Sequence, residues 1–348
     1  MRNPSTEPAG RRPTMTDVAR LAGVSVKTVS RVINNVATVD DVLAGRVREA
    51  SERLGYRPNQ VAASLRAGRA TGTIGVLVKD VSNAMYATIV AGATSVAEDR
   101  KTRVITAHTG ENSDAELAVI DDLCRRRVDG LLIVPSGGDH ASLRQEIDHG
   151  VPMVFVDRAP SGLEADSVLI DNYGGSKSGV ARLIASGHSK IGIILDKLSQ
   201  QTMSERLAGA QAAFAEAGMS LDSDLIRTSV SNPAEAAAAA AELIQSRPAP
   251  TAFFCGNNRL AVGVLELLWD GGYDHALLGF DDISHARLMP RPVSCIVYDS
   301  RVLGMIGAKL LFRRIDGEEF SPKTVTLPTQ VIDYRGTHGD QYAAGRRA

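Results

Sequence analysis

The chain has 348 residues, too many for one ordinary domain, and 44% of them are hydrophobic, enough to bury a large core. Charged residues make up an ordinary 23%, and the net charge of −1 points to no partner. No apolar run approaches the roughly 18–20 residues that span a bilayer, and the first thirteen residues lack the apolar segment of a secretory signal, so the sequence reads as soluble and intracellular.

The distribution of charge says more than its total. Residues 1–70 hold twelve Lys and Arg against six Asp and Glu, which leaves 27 against 34 for the rest. A basic head on an acidic body fits a nucleic-acid-binding head carried by something else. Cys124, Cys255 and Cys295 are scattered, odd in number and set in apolar runs. They read as reduced core residues of a cytoplasmic protein, not as a disulfide frame or metal site.

Residues 1–13 read as a disordered tail whose Arg2, Arg11 and Arg12 add non-specific attraction to DNA. Next come two short helices. Val18, Leu21 and Ala22 fall at i, i+3 and i+4 and make one apolar face, with Thr16 or Asp17 as the starting cap. Gly23 suits a left-handed turn. Ser25 can cap a second helix in which Val29, Val32 and Ile33 face inward, leaving Val26, Lys27, Ser30, Arg31 and Asn34 outward. Short hydrogen-bonding groups and cations on one helix face suit the DNA major groove. The alternative is a helical hairpin with a solvated polar face.

A third helix is predicted over about 40–54, with Val47, Ala50, Ser51 and Leu54 inward and Gly55 ending it. Gly55-Tyr56-Arg57-Pro58 breaks the chain. Asn59 can then cap a short helix over 60–66, too short to persist alone and placed to fold on binding. From Thr73 onward the pattern alternates apolar runs with helical stretches. The runs are Ile74–Val78, Val104–Ala107, Leu131–Val134, Met153–Val156, Val168–Ile170, Ile191–Leu195, Ala252–Cys255 and Leu277–Phe280. Such runs indicate parallel strands covered on both faces. A helix Ala234–Gln245 is announced by Asn232 as cap, Pro233 at the first position and Glu235 at the third. Two α/β subdomains with a hinge and a cleft are expected, with ligands beyond the carboxyl ends of the strands. The stretch 321–327 marks the end of the fold.

This order of parts resembles the lactose-repressor (LacI) family of bacterial transcription regulators over about residues 14–335. The pieces that carry the resemblance are Thr16-Asp17-Val18-Ala19 with Ala22-Gly23-Val24-Ser25, then Thr28-Val29-Ser30-Arg31-Val32-Ile33-Asn34 and Leu54-Gly55-Tyr56-Arg57-Pro58-Asn59. Asp171-Asn172-Tyr173-Gly174-Gly175 and Gly279-Phe280-Asp281-Asp282 add to them. The resemblance implies an all-α helix-turn-helix head on a two-lobed, doubly wound parallel α/β core like that of periplasmic sugar-binding proteins. It divides the chain into a tail 1–13, a DNA-binding head 14–58, a hinge helix and linker 59–72, an effector-binding and dimerisation core 73–335, and a disordered tail 336–348.

For DNA, the resemblance implies that Val26, Lys27 and Arg31 contact base edges while Thr14, Thr16, Ser25, Thr28, Ser30, Asn34 and Tyr56 position the head on the backbone. Arg31 can pair bidentately with a guanine; Lys27 reads a base or one more phosphate. Leu65, with Asn59 and Ala62, sits where the family wedges the central minor groove from two hinge helices. The implied partners are therefore double-stranded DNA with a near-palindromic operator and a second copy of the chain, as homodimer or tetramer. For the effector, a sugar or sugar derivative, the implied residues are Met85, Tyr86, Asp157, Arg206, Asn257, Asp281 and Tyr298. Carboxylates, an amide and a guanidinium suit a polyol. Arg206 and Asp281 can alternatively pair across the lobes, Tyr86 can be ordinary core, and Trp269 with Leu265 and Leu268 reads as packing.

The chain departs from the family in three places. Ser231 and Asn232 stand where many members carry an aromatic over the ligand, Asn258 stands where an aspartate usually follows the asparagine, and the stretch 271–276 is short. These leave room for a regulator that answers to a protein partner or to no ligand. No cofactor and no enzyme activity are expected: His108, His140, His149, His188, His275, His285 and His338 show no metal-ligand spacing, and the adjacent Asp281-Asp282 cannot easily share one site. A sugar-binding transport protein would fit the core but not the basic head.

Overall fold

The computed structural model describes residues 11–33, 39–57, 70–289 and 291–335. Asn34, Asn59, Ala62, Leu65, the predicted hinge helix and the tail beyond Arg335 lie outside them. The chain divides between Thr71 and Gly72 into two compact units, a helical head and an α/β core.

The head is built from α1 (Met15–Ala22), α2 (Val26–Ile33) and α3 (Asp41–Leu54). The first cap is not Thr16 or Asp17. Thr14 caps α1, and Asp17 reaches back to the Thr14 backbone N–H at 2.9 Å, closing a reciprocal capping box. Gly23 takes the left-handed φ of 64° that ends α1. Ser25 begins α2, its Oγ accepting the Thr28 N–H at 3.1 Å. Val18, Ala19, Ala22, Val29, Val32, Ala44, Val47 and Ala50 form the core. Leu21, predicted inside, is 43% exposed. At about 100° per residue the small Ala19 shares the inner face with Val18 and Ala22, and Leu21 falls to its edge.

The core consists of two lobes, each a six-stranded sheet covered by helices. The first contains β1 (Thr73–Val78), β2 (Arg103–His108), β3 (Leu131–Ile133), β4 (Met153–Asp157), β5 (Asp166–Ile170) and the late strand β11 (Thr324–Leu327), in the order β11-β5-β4-β3-β1-β2. Its helices are α4 (Ala84–Asp99), α5 (Ser113–Arg125), α6 (Arg144–Asp148) and α11 (Ser300–Ile315). The second contains β6 (Ile191–Ile194), β7 (Ile226–Arg227), β8 (Ala252–Cys255), β9 (Ala276–Phe280), β10 (Val293–Val297) and β12 (Gln330–Tyr334), in the order β12-β10-β9-β8-β6-β7. It carries α7 (Asn172–Ala185), α8 (Gln201–Glu216), α9 (Pro233–Gln245) and α10 (Asn258–Asp270). Pairing is parallel among the described residues except between β10 and β12.

All eight predicted runs are strands. The prediction passed over β7, β10, β11 and β12, and it took β2 as buried on both faces. That strand is an edge, with Ile105 40% exposed. Each lobe borrows its last pieces from across the hinge, because α11 and β11 return to the first lobe and β12 returns to the second. The chain therefore crosses between lobes three times: after Ile170, between Val297 and Ser300, and between Leu327 and Gln330. Glycines let α4 and α11 pack closely. A Cβ on Gly92 of α4 would stand 2.1 Å from the Arg301 carbonyl oxygen of α11, and one on Gly304 of α11 would stand 2.1 Å from that of Ile89. Cys255 and Cys295 are buried, Cys124 half-buried, and all three are free thiols. Among the described residues no helix is long and apolar enough to cross a membrane.

Candidate functional site

The head presents one distinctive surface. Along α2, Val29 and Val32 are buried, while Ser25, Val26, Lys27 and Arg31 are exposed and Thr28 and Ser30 half-exposed. Val26, 42% exposed, lies on the same outward side of the helix. The Ser25 and Thr28 hydroxyls lie 2.9 Å apart and set the first turn. Thr14, Thr16 and Tyr56 belong to the same unit: Thr14 is engaged in the capping box, Thr16 is exposed, and Tyr56 is half-buried against the helical core.

In the core, the carboxyl ends of both sheets face a polar cavity of about 270 Å³. Six of the seven predicted effector residues line it: Met85, Tyr86, Asp157, Arg206, Asn257 and Asp281. Two aspartates define it. Asp157 ends β4 of the first lobe at φ 71°, and Asp281 follows β9 of the second at φ 70°. Each lobe thus holds a buried carboxylate on left-handed backbone at a strand end, a conformation that non-glycine residues adopt at a cost and that clusters at functional sites.

Arg206 is 3% exposed and fixed on every side. Its Nε donates to Asn172 Oδ1 at 2.9 Å, its Nη1 donates to the Gly256 carbonyl, and its guanidinium lies 3.6 Å from the centroid of the Phe280 ring. Its Nη2 stands 3.9 Å from Asp281 Oδ1. The two partners belong to one lobe, so the alternative of a pairing across the lobes does not hold: α8 and the β9 turn lie in the same sheet unit. Burial raises the Asp281 carboxyl above its ordinary range, against the pull of Arg206. Tyr298 does not line the cavity. Its hydroxyl donates to Asp281 Oδ1 at 2.9 Å from behind, which makes it a positioning residue. Tyr86 is 7% exposed and belongs to both the core and the cavity wall; burial pushes its phenol far up, so it stays a hydrogen-bond donor. Asn257 spends its Oδ1 on capping α10, accepting from Leu260 N at 3.0 Å. Trp269 is 48% exposed on the outer face of α10, neither packed in the core nor near the cavity.

The cavity also holds groups that the sequence reading missed. Lys79 follows β1, is 3% exposed and pairs with Glu111. Burial first, then neighbouring Arg158, lowers its ammonium from the usual 10.5 to about 8. Arg158 follows β4, and its Nη2 donates across the cleft to Gln200 Oε1 at 2.9 Å. Asp196 follows β6. Thr202 of α8 is 3% exposed, lines the cavity, and its hydroxyl has no partner in the protein. Residues immediately after strand ends were the signal, applied to Asp157 and Asp281 but not to Lys79, Arg158 and Asp196. At the cavity rim, Asn83, which caps α4, and Asn258, which opens α10, exchange two amide hydrogen bonds between the lobes at 3.2 and 3.3 Å.

Comparisons with known proteins agree along nearly the whole chain. Residues 14–59 match the family described as bacterial regulatory proteins, lacI family, and residues 71–331 match periplasmic binding proteins and sugar binding domain of LacI family. The chain is 32% identical to the ribose operon repressor of Haemophilus influenzae over 92% of its length and 97% of that protein. It is 30% identical to the HTH-type transcriptional repressor PurR of Vibrio atlanticus over 92% of its length and 97% of that protein. A solved complex of the transcriptional regulator CelR with cellobiose is similar at a TM-score of 0.68 and 30% identity, covering 93% of this chain and all of that one. A helical head with an outward cationic face and a two-lobed α/β core with a polar cleft are thus found in regulators of one kind, and the chain belongs to the LacI family of DNA-binding bacterial transcription regulators.

Proposed function

We propose that this chain is a cytoplasmic, dimeric repressor, without enzyme activity, whose grip on a near-palindromic operator is controlled by a carbohydrate in the core cleft. The observation that carries the effector reading is the pair of buried aspartates, Asp157 and Asp281, facing one cavity from opposite lobes with Arg206 and Asn257 beside them. Each carboxylate can accept from two neighbouring hydroxyls and a guanidinium can donate to two, which is the pattern a polyol satisfies. A ligand that touches both lobes favours their closed arrangement and so shifts a two-state core. The names of the relatives support the regulatory part, and the cellobiose complex supports the ligand class.

In this reading 14–58 is the DNA-binding head, 59–72 the hinge and 73–335 the effector and dimerisation core. Val26, Lys27 and Arg31 of the head read bases, with Thr14, Thr16, Ser25, Thr28, Ser30, Asn34 and Tyr56 on the backbone. Asn59, Ala62 and Leu65 enter the minor groove, where Leu65→Ala should weaken operator binding while sparing non-specific DNA affinity. The test is a binding-site selection with the full chain, followed by operator affinity with and without a panel of sugars. A two-fold symmetric consensus whose affinity changes with one of the sugars is expected. A consensus without symmetry, or an operator affinity that no sugar moves, overturns the respective half of the reading.

A further inference from the structure

The cleft does not end at the inner cavity. A second chamber of about 890 Å³ continues outward from it and shares Glu111, Arg158, Asp196, Gln200 and Arg259 with it. Among the residues common to both chambers, Arg158 and Gln200 are hydrogen-bonded to each other and join the lobes. Gln200 stands at the start of α8 but does not cap it, so its amide is given to that bond.

The inner chamber falls just below the roughly 300–1,000 Å³ of sites that hold drug-sized ligands, which leaves room for one sugar ring. The outer wall carries six short polar groups, Ser113, Ser136, Ser161, Ser199, Ser231 and Asn232, together with charged side chains that include Lys197 and Arg259, and no aromatic ring other than His140 lines it. Short hydroxyls and an amide match the hydroxyls of a second sugar ring. A purine or an aromatic aglycone would need a stacking partner that this wall does not provide. Ser231 and Asn232 both line this chamber. They are also pinned: Glu235 accepts from Ser231 N at 2.7 Å and from its Oγ at 2.9 Å, while Asn232 caps α9.

The opposite wall is built in advance. Glu116, 1% exposed, lies beneath it and accepts from the Ser136 backbone N–H at 2.5 Å, from the Ser136 hydroxyl and from His140 Nε2 at 2.9 Å. His140 Nδ1 in turn accepts the Ser161 N–H at 3.2 Å. One buried carboxylate therefore fixes the segments of both Ser136 and Ser161, and both ring nitrogens of His140 are spent on that task. A buried, fully satisfied network beneath the lining of a cavity is the support that a binding surface needs to hold its geometry. In the inner chamber, the buried Thr202 hydroxyl is unpartnered by protein.

We infer that the effector is a disaccharide, with one ring held between Asp157 and Asp281 and the second in the chamber walled by Ser136, Ser161 and Ser231, and that Arg158 and Gln200 part to admit the linkage. This inference rests on the carbohydrate reading above. The test is calorimetric titration of the full-length protein with cellobiose, maltose and lactose against glucose, galactose and ribose. It is repeated with Ser231→Trp and Ser199→Trp, two exposed positions whose variants are first checked for an unchanged melting temperature. A disaccharide should bind at least tenfold more tightly than either of its component monosaccharides. Either tryptophan should cost the disaccharide at least tenfold and the monosaccharides less than twofold. If a monosaccharide binds as tightly as any disaccharide, or if both tryptophan variants leave the disaccharide unaffected, the two-chamber inference is wrong and the carbohydrate reading stands. If no sugar of either size binds, the carbohydrate reading fails with it.

Discussion

Lys79→Met should make the protein more stable. Lys79 is 3% exposed, and its environment lowers its ammonium from 10.5 to about 8, chiefly through burial. At about 1.4 kcal/mol for each tenfold change in proton affinity, keeping the charge buried at neutral pH costs roughly 3 kcal/mol. Methionine has a similar length and no charge to desolvate. The abandoned Glu111 carboxylate is 45% exposed and keeps its water, with Arg158 still 3.9 Å away. A gain of about 1–3 kcal/mol corresponds to a melting temperature higher by roughly 5 °C in a domain of this size. The pH dependence fixes the sign. Below about pH 8 both folded and unfolded lysine are protonated and the wild type carries the full penalty. Between about 8 and 10.5 the folded lysine loses its proton first, the unfolded chain binds more protons, and wild-type stability rises with pH relative to the variant. Thermal melts of both proteins from pH 7 to 10 should therefore converge. Curves that run parallel, or a variant less stable at pH 7, would refute the account. A stabilised variant that binds its effector more weakly would further identify Lys79 as a residue kept for function at the expense of stability.

Arg206→Met should do the reverse, leaving the Asp281 carboxylate buried with the Tyr298 hydroxyl as its remaining side-chain donor. A loss of about 3–5 kcal/mol together with loss of ligand binding is expected in melts and titrations, and a variant as stable as wild type would count against the buried pair. Gly92→Ala should push α4 off α11, since the added methyl meets backbone and not a movable side chain. A loss of roughly 1–3 kcal/mol is expected from denaturant unfolding, and an unchanged midpoint would show that the helices can give way. Arg31→Ala should relax base preference at one symmetric pair of operator positions, each worth about 1–3 kcal/mol; a repeated site selection returning the same consensus would argue against base contact.

Much of this fold could be read from the residues because its strands are continuous apolar runs and its helices open on strong caps. Asn232-Pro233 with Glu235 is such a start, and Gly23 such a stop. Two of the strands that escaped, β11 and β12, are legible only beside their partners, whereas β10 escaped although it is a buried apolar run next to the preceding β9. The β11 stretch looks polar and terminal, yet it pairs with β5, some 157 residues earlier, and β12 is legible only once β10 is beside it. The cap of α1 was misplaced because Thr14, Thr16 and Asp17 all carry capping oxygens, and only the backbone geometry selects Thr14. At the cleft, Asp157, Arg206 and Asp281 were found by their place after strands or in a family motif. Arg158 and Gln200 were not, because their meeting depends on how two lobes come together, which no local pattern encodes.

The amide pair at the cleft rim has a consequence for how the two parts of this protein respond to their surroundings. Asn83 and Asn258 each give one N–H and take one carbonyl, so the contact carries no net charge and owes nothing to counterions. A head that grips DNA through phosphates loses affinity steeply as salt rises, because neutralised phosphates release their counterions. The rim contact should hold at nearly the same strength across that range. Salt would then tune how firmly the operator is held without loosening this contact between the lobes. An aspartate at position 258 would end that independence, setting a carboxylate against the Asn83 carbonyl and tying lobe closure to ionic strength.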